Sequence, residues 1–475
     1  MTDSISAEPR TVASPRRYDS GVTLTVIVAC QLMMVLDNTV VTIALPQIQS
    51  GLHFSATSLS WVMNTYVLAF GGLMLLGGRA GDILGRRTVF LGGVAVFTVA
   101  SLVCGIAGEP WLLLVARTVQ GVAAAFASPA ALALVAGTFE GERRTRALAV
   151  YAAVSSIGWA VGMIVGGLFT SWLSWRWVFF INIPLGIAVL LAAPRYIKET
   201  ARHTGRFDGA GALTSTLGIA ALAYALIQVA ADGWSDPRGM VALAAAVLLL
   251  AAFALTEARA AQPITPLRLF ADRGRSTAYL ARMCINGSMM GMFFFLTQFL
   301  QKILGYSALR AGLAFVPIAV AMLVATRVAP KLVERFGRRW PTVGAALALA
   351  AGMLWLSRVS SETGYLTGIV APLVLGGLGM GIAFVVLTML ALEGVAPADT
   401  GAASGLVTVT QQLGGAIGMS VLVTAFGLAG RGEHGGPDAV FTHGVRSAFL
   451  VATLLALLGA VAVVAGIRGT RRVGE

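Results

Sequence analysis

"VLDNTVVTIALP", Val35 to Pro46, sets a carboxylate, Asp37, inside an apolar run that begins near residue 22. A membrane-spanning helix needs about 20 mostly apolar residues, and this run supplies them. The rest of the chain is alike. Of its 475 residues, 57% are hydrophobic and 12% charged, and the mean hydropathy is +0.82. A soluble domain carries about 25% charged residues. A chain with so few charges cannot coat itself in water, so the composition predicts an all-α polytopic membrane protein.

Fourteen apolar segments are long enough to span. They run over 22–46, 60–78, 88–107, 111–137, 146–170, 177–194, 210–230, 239–257, 277–300, 311–329, 342–357, 366–391, 402–428 and 446–467. Cytoplasmic loops collect Lys and Arg. With the N-terminus inside, the inner segments hold 24 of these residues and the outer loops 7. That bias supports an even number of spans with both termini cytoplasmic. It also accounts for the net charge of +13 without nucleic acid. The N-terminus shows no secretory signal pattern, so the first span is expected to direct insertion.

The chain also repeats itself. "GDILGRR" (81–87) and "VERFGRR" (333–339) each follow an apolar span, at an offset of 252 residues. Both lie on the inner side, so the repeat is parallel. Two six-span halves with two extra spans between them give that offset, and transporters built this way bind substrate at the repeat interface. The expected divisions are a tail over 1–21, a six-helix bundle over 22–200, two linker helices over 201–260, a second bundle over 261–467 and a tail over 468–475.

Of 21 acidic residues, only Asp37 falls well inside a span. A charge at the bilayer centre costs about 2.5–3.5 kcal/mol on insertion scales, which marks a functional or paired group. Low dielectric favours the neutral form of a carboxyl, so such a group can bind and release a proton. The alternative is an acid that only hydrogen-bonds neighbouring helices. Gln31, Asn38 and Thr42 share its helix on one polar face, as a cavity lining would. Arg117, with Gln120 three residues on, is the matching cation in the fourth span. Arg stays charged, so it must pair or reach water. It polarises a proton site or snorkels to the interface near Trp111.

Other motifs suit moving parts. In "GRAGDILGRR" (78–87), Gly81 and Gly85 allow a tight turn. Asp82 can meet a helix N-terminus or an Arg, and Arg86 and Arg87 face anionic lipid. The arrangement suits a breakable latch. Gly158, Gly162 and Gly166 form a small-residue stripe, either plain packing or a seam that seals and reopens. Asn286, Met290, Phe293 and Thr297 form a stripe that lines a ligand cavity or faces lipid. Gln412, with Thr408 and Gly415, faces a cavity or bonds across helices.

Other chemistries lack their signatures. Cys30, Cys104 and Cys284 are scattered in apolar stretches, which suits neither disulfides nor a metal site. His53, His203, His434 and His443 lie in expected loops. No G-x-x-x-x-G-K-[ST] occurs, and no catalytic constellation either, so neither ATP-driven transport nor enzyme activity is expected. No cofactor is expected beyond a proton gradient.

Taken together, "LDNTVVTIALP", "GGRAGDILGRR", "RTVQGVAAA", "GWAVGMIVGG", "WRWVFFINIPLGI", "LGYSALRAGLAFVP" and "GAASGLVTVTQQLGGAIG" resemble, in order, the motifs of the major facilitator superfamily. More narrowly, they resemble its fourteen-span drug:proton antiporters, bacterial multidrug and antibiotic exporters. Thr42 and Met163 stand where that family's motifs have Asn and Pro. The resemblance implies alternating access by two six-helix bundles. It implies that Asp37 and Arg117 serve proton coupling, that Gly81, Asp82, Gly85, Arg86 and Arg87 form a gating loop, and that Gly158, Gly162 and Gly166 form a sealing seam. Asn38, Gln120, Asn286, Met290, Phe293 and Gln412 are the candidate cavity residues. The expected function is proton-coupled efflux of hydrophobic or cationic small molecules, by a monomer in the bacterial cytoplasmic membrane. The alternative is transport of one metabolite, by export or uptake. A single buried acid favours neutral or monocationic substrates.

Overall fold

The computed structural model describes residues 20–199, 209–232, 234–259, 267–395, 400–430 and 436–467. The tails up to residue 19 and from 468, His203, His434 and parts of three expected inner loops lie outside them. In chain order the long helices are α1 (Ser20–Leu52), α2 (Trp61–Leu84), α3 (Arg86–Ile106), α4 (Pro110–Thr138), α5 (Gly141–Trp172), α6 (Asn182–Tyr196), α7 (Gly209–Asp232) and α8 (Pro237–Arg259). They continue with α9 (Arg273–Lys302), α10 (Val316–Phe336), α11 (Arg339–Leu356), α12 (Val370–Leu392), α13 (Thr400–Gly430) and α14 (Pro437–Gly466). A helix therefore stands at each expected span. Lipid offers no hydrogen bonds, so each segment satisfies its backbone within itself.

Twelve of the described helices are long and apolar enough to cross a membrane. The other two places are α5, with an apolar stretch over Val161–Trp172, and α11, whose 18 residues open on Arg339-Trp340-Pro341. Large apolar side chains such as Val99, Leu191, Leu248 and Leu454 stand exposed on the outside of the helices, as a lipid-facing surface requires. His443 lies on α14, where a loop was expected, because that helix starts at Pro437 rather than at residue 446.

The packing repeats as the sequence does. In the first half α4 packs on α2 and α3, and α1 packs on α5 and α6. In the second half α12 packs on α10 and α11, and α9 packs on α13 and α14. The turns at Gly85 and Gly337 match as well. Gly85 has φ +104° and Gly337 has φ +69°. Both are backbone conformations that glycine adopts without strain, and they sit at the same offset of 252 residues. Between the halves, α7 and α8 pack on each other, and α7 alone reaches across to α2 and α13. There Thr424 Oγ1 donates to the Leu226 carbonyl at 2.7 Å.

Hydrogen bonds between the two halves gather at the end where α1 and α9 finish, while α2 packs on α13 further along, through Gly71 against Gln412 and Leu75 against Gly405. Gln47 bonds Gln301 at 3.2 Å, and Gln301 bonds the Ile43 carbonyl at 2.9 Å. Lys302 bonds Gln49, and Asn64 bonds Ser420 at 3.3 Å. Leu309 N donates to Ser171 Oγ at 2.9 Å. Deeper in, the rings of Trp159 on α5 and Phe293 on α9 pack across the halves, tilted at 58° with centroids 4.3 Å apart.

Candidate functional site

Asp37 sits 17 residues into the 33-residue α1, and its side chain is fully buried. Three other segments reach it. Arg117 Nη1 on α4 donates to Oδ2 at 2.5 Å. On the other oxygen, Gln120 Nε2 donates to Oδ1 at 3.1 Å and Asn182 Nδ2, at the start of α6, at 2.8 Å. Both carboxylate oxygens therefore accept hydrogen bonds. Charged partners make such bonds about twice as strong as neutral ones.

Arg117 is held from several sides. Its Nε donates to the Val62 carbonyl at 3.1 Å and its Nη1 to Gln120 Oε1 at 3.1 Å. The Tyr66 ring lies 4.5 Å from the guanidinium carbon, a favourable cation–π placement. Only Nη2 is without a partner. Gln120 extends the network to Ser101 Oγ at 2.8 Å and Cys104 Sγ at 3.2 Å on α3. Gly121 brings α4 close enough for this. A Cβ there would meet the Ala69 methyl at 2.9 Å and the Tyr66 carbonyl carbon at 3.1 Å.

The sequence points to Asp37, Arg117 and Gln120, and the fold joins all three. It gives no warning of Asn182, which lies in the apolar "FINIPLGI", or of Tyr66 and Ser101. Asn38 stands half-buried beside the cluster, and its carbonyl accepts from Thr42 Oγ1 at 3.0 Å. The polar face of α1 is partly occupied, since Gln31 accepts from Tyr151 OH at 2.6 Å.

The other expected site residues lie apart from this cluster. Asn286 Nδ2 donates to the Gln411 carbonyl at 2.6 Å and so ties α9 to α13. Met290 lies beside Gly415, and Phe293 packs against Trp159. Gln412 is buried where α13 meets Gly71 of α2. The glycine stripe faces α1 within its own half: Gly158 meets Leu32 and Val35, Gly162 meets Thr39, and Gly166 meets Val40. Across the halves the close approaches on α5 are Gly167 to Ala308 and Met163 to Gly312.

The 78–87 hairpin holds a pair. Arg86 Nη2 meets Asp82 Oδ1 at 3.0 Å, and Arg86 Nη1 reaches the Ala133 carbonyl at 3.3 Å. Arg87 donates to the Ile197 carbonyl at 3.3 Å. The arginines thus grip helix ends, where lipid contact was expected. Gly81 lies inside α2, so Gly85 alone makes the turn. Glu199 caps α3, accepting from Arg87 N and Thr88 N at 3.0 Å each.

These features agree with the comparisons. Residues 27–419 match the Major Facilitator Superfamily. The chain is 42% identical to a cephamycin export protein of Amycolatopsis lactamdurans, over 89% of this chain and 88% of that one. It is 41% identical to a puromycin resistance protein of Streptomyces alboniger, over 93% and 89%. Among solved structures, an auto-inhibited POT family peptide transporter superposes with a TM-score of 0.69 at 14% identity, over 95% and 98%, which speaks for the fold alone. The chain belongs to the major facilitator superfamily and is a multi-pass membrane protein, which in bacteria lies in the inner membrane.

Proposed function

We propose that the protein exports hydrophobic small molecules, drugs and antibiotics among them, in exchange for protons. Asp37 is the observation that carries this reading: a fully buried carboxylate at mid-helix, bound by Arg117, Gln120 and Asn182. The export and resistance roles named for its relatives support the direction. A proton on Asp37 removes the charge that Arg117 pairs with and loosens α1 from α4. A proton or substrate shifts the access equilibrium only through unequal affinity for the two states, and the Asp37 pair is where that inequality arises. The proton gradient is the sole energy source, with no cofactor and no catalytic step.

In the same reading the chain is a monomer of the fourteen-span drug:proton antiporter group. Two bundles over 22–200 and 261–467 flank linker helices over 201–260, and both termini are cytoplasmic. The end where Gln47 meets Gln301 is then the outer face, closed in this conformation, with Trp159 and Phe293 as a second barrier below it. Asp82, Gly85, Arg86 and Arg87 act as the inner latch. The Gly158–Gly162–Gly166 stripe keeps α5 seated on α1 while the halves rock. The reading is tested with everted membrane vesicles, an imposed pH gradient and a panel of dyes and antibiotics. Gradient-driven uptake supports efflux. Movement of a single compound, regardless of gradient, supports a dedicated metabolite carrier.

A further inference from the structure

Arg282, nine residues into α9 and only 6% exposed, is one of three buried guanidiniums among the described residues, with Arg117 and with Arg275, whose Nε, Nη1 and Nη2 all reach backbone carbonyls. Arg282 Nη1 donates to Thr388 Oγ1 at 3.0 Å and to the Phe384 carbonyl at 3.4 Å. Its Nη2 donates to Gln411 Oε1 at 2.8 Å, and the Phe384 ring lies 4.7 Å away. Every one of these partners is neutral. Nε is buried with no partner. Among the described residues no carboxylate pairs with Arg282, whereas Arg117 has Asp37.

A buried cation with only neutral acceptors keeps most of its desolvation cost, and an added anion offsets it. The geometry shows where one fits. A carboxylate binds a guanidinium side-on through two parallel hydrogen bonds, here from Nε and Nη2. Nε is the unpartnered nitrogen, and Nη2 is held by a single side-chain amide. Arg282, Asn286, Met380, Leu387 and Gln411 line a crevice of about 20 Å³ between α9, α12 and α13, room for roughly one water. A larger group enters once the Gln411 amide turns away. Met380 and the half-exposed Phe384 ring, at its mouth, are adaptable apolar contacts.

We propose that Arg282 seats a carboxylate of the transported compound, with Gln411 as the side chain it displaces and Met380 and Phe384 against its apolar body. This rests on the efflux reading and extends its substrates to hydrophobic acids. A single buried acid had favoured neutral or monocationic compounds. Asp37 is already paired by Arg117, whereas Arg282 has no charged partner among the described residues and keeps its Nε unpartnered.

The test is binding of two dyes to the purified full chain in nanodiscs, dansylglycine and its uncharged amide, dansylglycinamide. Wild type is expected to bind the carboxylate about tenfold more tightly. In Arg282→Gln the carboxylate falls to the amide's affinity while the amide is unchanged. Arg282→Lys, which keeps the charge but loses the side-on pair, is expected to lose at least about threefold of the preference and serves as the variant if Arg282→Gln does not fold. Equal binding of the two dyes by wild type, or a preference that survives in the variants, overturns the proposal. Because binding is read without a gradient, a preference for the carboxylate with no gradient-driven transport would sink the efflux reading and leave the seat standing.

Discussion

Asp37 and Arg117 are separated by 80 residues in the chain and meet at 2.5 Å with both side chains fully buried. Removing one partner of such a pair leaves an uncompensated charge and costs about 3–5 kcal/mol, whereas removing both costs far less. Arg117→Ala is therefore expected to lower the melting temperature in detergent sharply. Asp37→Asn with Arg117→Ala together is expected to recover part of that loss. A double variant that melts no higher than Arg117→Ala would mean that the pair is not coupled.

Asn182 supplies one of the two bonds to Asp37 Oδ1, at 2.8 Å. Asn182→Leu leaves that oxygen with Gln120 alone, at a cost of about 1–3 kcal/mol. The variant is expected to insert and fold but to transport several-fold more slowly. Transport at the wild-type rate would place Asn182 outside the coupling network.

Two neighbouring glycines separate packing within a half from packing between halves. Gly166 lies 2.8 Å from Val40 Cα for an added Cβ, and Gly167 lies 2.7 Å from the Ala308 carbonyl. Overpacking costs about 1–3 kcal/mol. Gly166→Val is expected to lower thermal stability. Gly167→Val is expected to part the halves at the end where α1 and α9 finish, seen as faster maleimide labelling of a cysteine placed at Gln47. Identical behaviour of the two variants would contradict the distinction.

Gly85 has φ +104°, and a Cβ there would strike the Glu199 carboxylate, which caps α3. A non-glycine residue at such a φ costs of order 1–3 kcal/mol. Gly85→Ala is expected to destabilise more than Glu199→Gln, which keeps the shape but weakens a cap worth about 1 kcal/mol. Differential scanning fluorimetry of the two variants checks the order.

The long helices were legible because length and hydropathy act locally, and twelve of the described ones are long and apolar enough to cross a membrane. Asp37 and Arg117 were legible for a related reason: a charge in an apolar run is costly enough to demand an explanation. Asn182 was not. One amide in "FINIPLGI" costs little by itself, and nothing local shows that the fold carries it to Asp37, 145 residues away. The glycine stripe was legible as a close approach but not its partner, since small residues at i, i+4 and i+8 fit any neighbour. It faces α1, and the contact across the halves falls to Gly167 and Met163, the latter at the position where the family motif has Pro. Arg282 falls near the start of its span, where sequence alone does not separate a buried position from an interfacial one, and only the packing of Phe384 and Gln411 shows it buried.

The most direct measurement is proton movement in proteoliposomes loaded with a pH dye, comparing wild type with Asp37→Asn under the same imposed gradient. The account predicts that adding a transported drug drives proton flux through wild type, and that Asp37→Asn loses both drug and proton movement while remaining folded. Drug-driven proton flux of wild-type size in Asp37→Asn would contradict it and move the coupling site elsewhere.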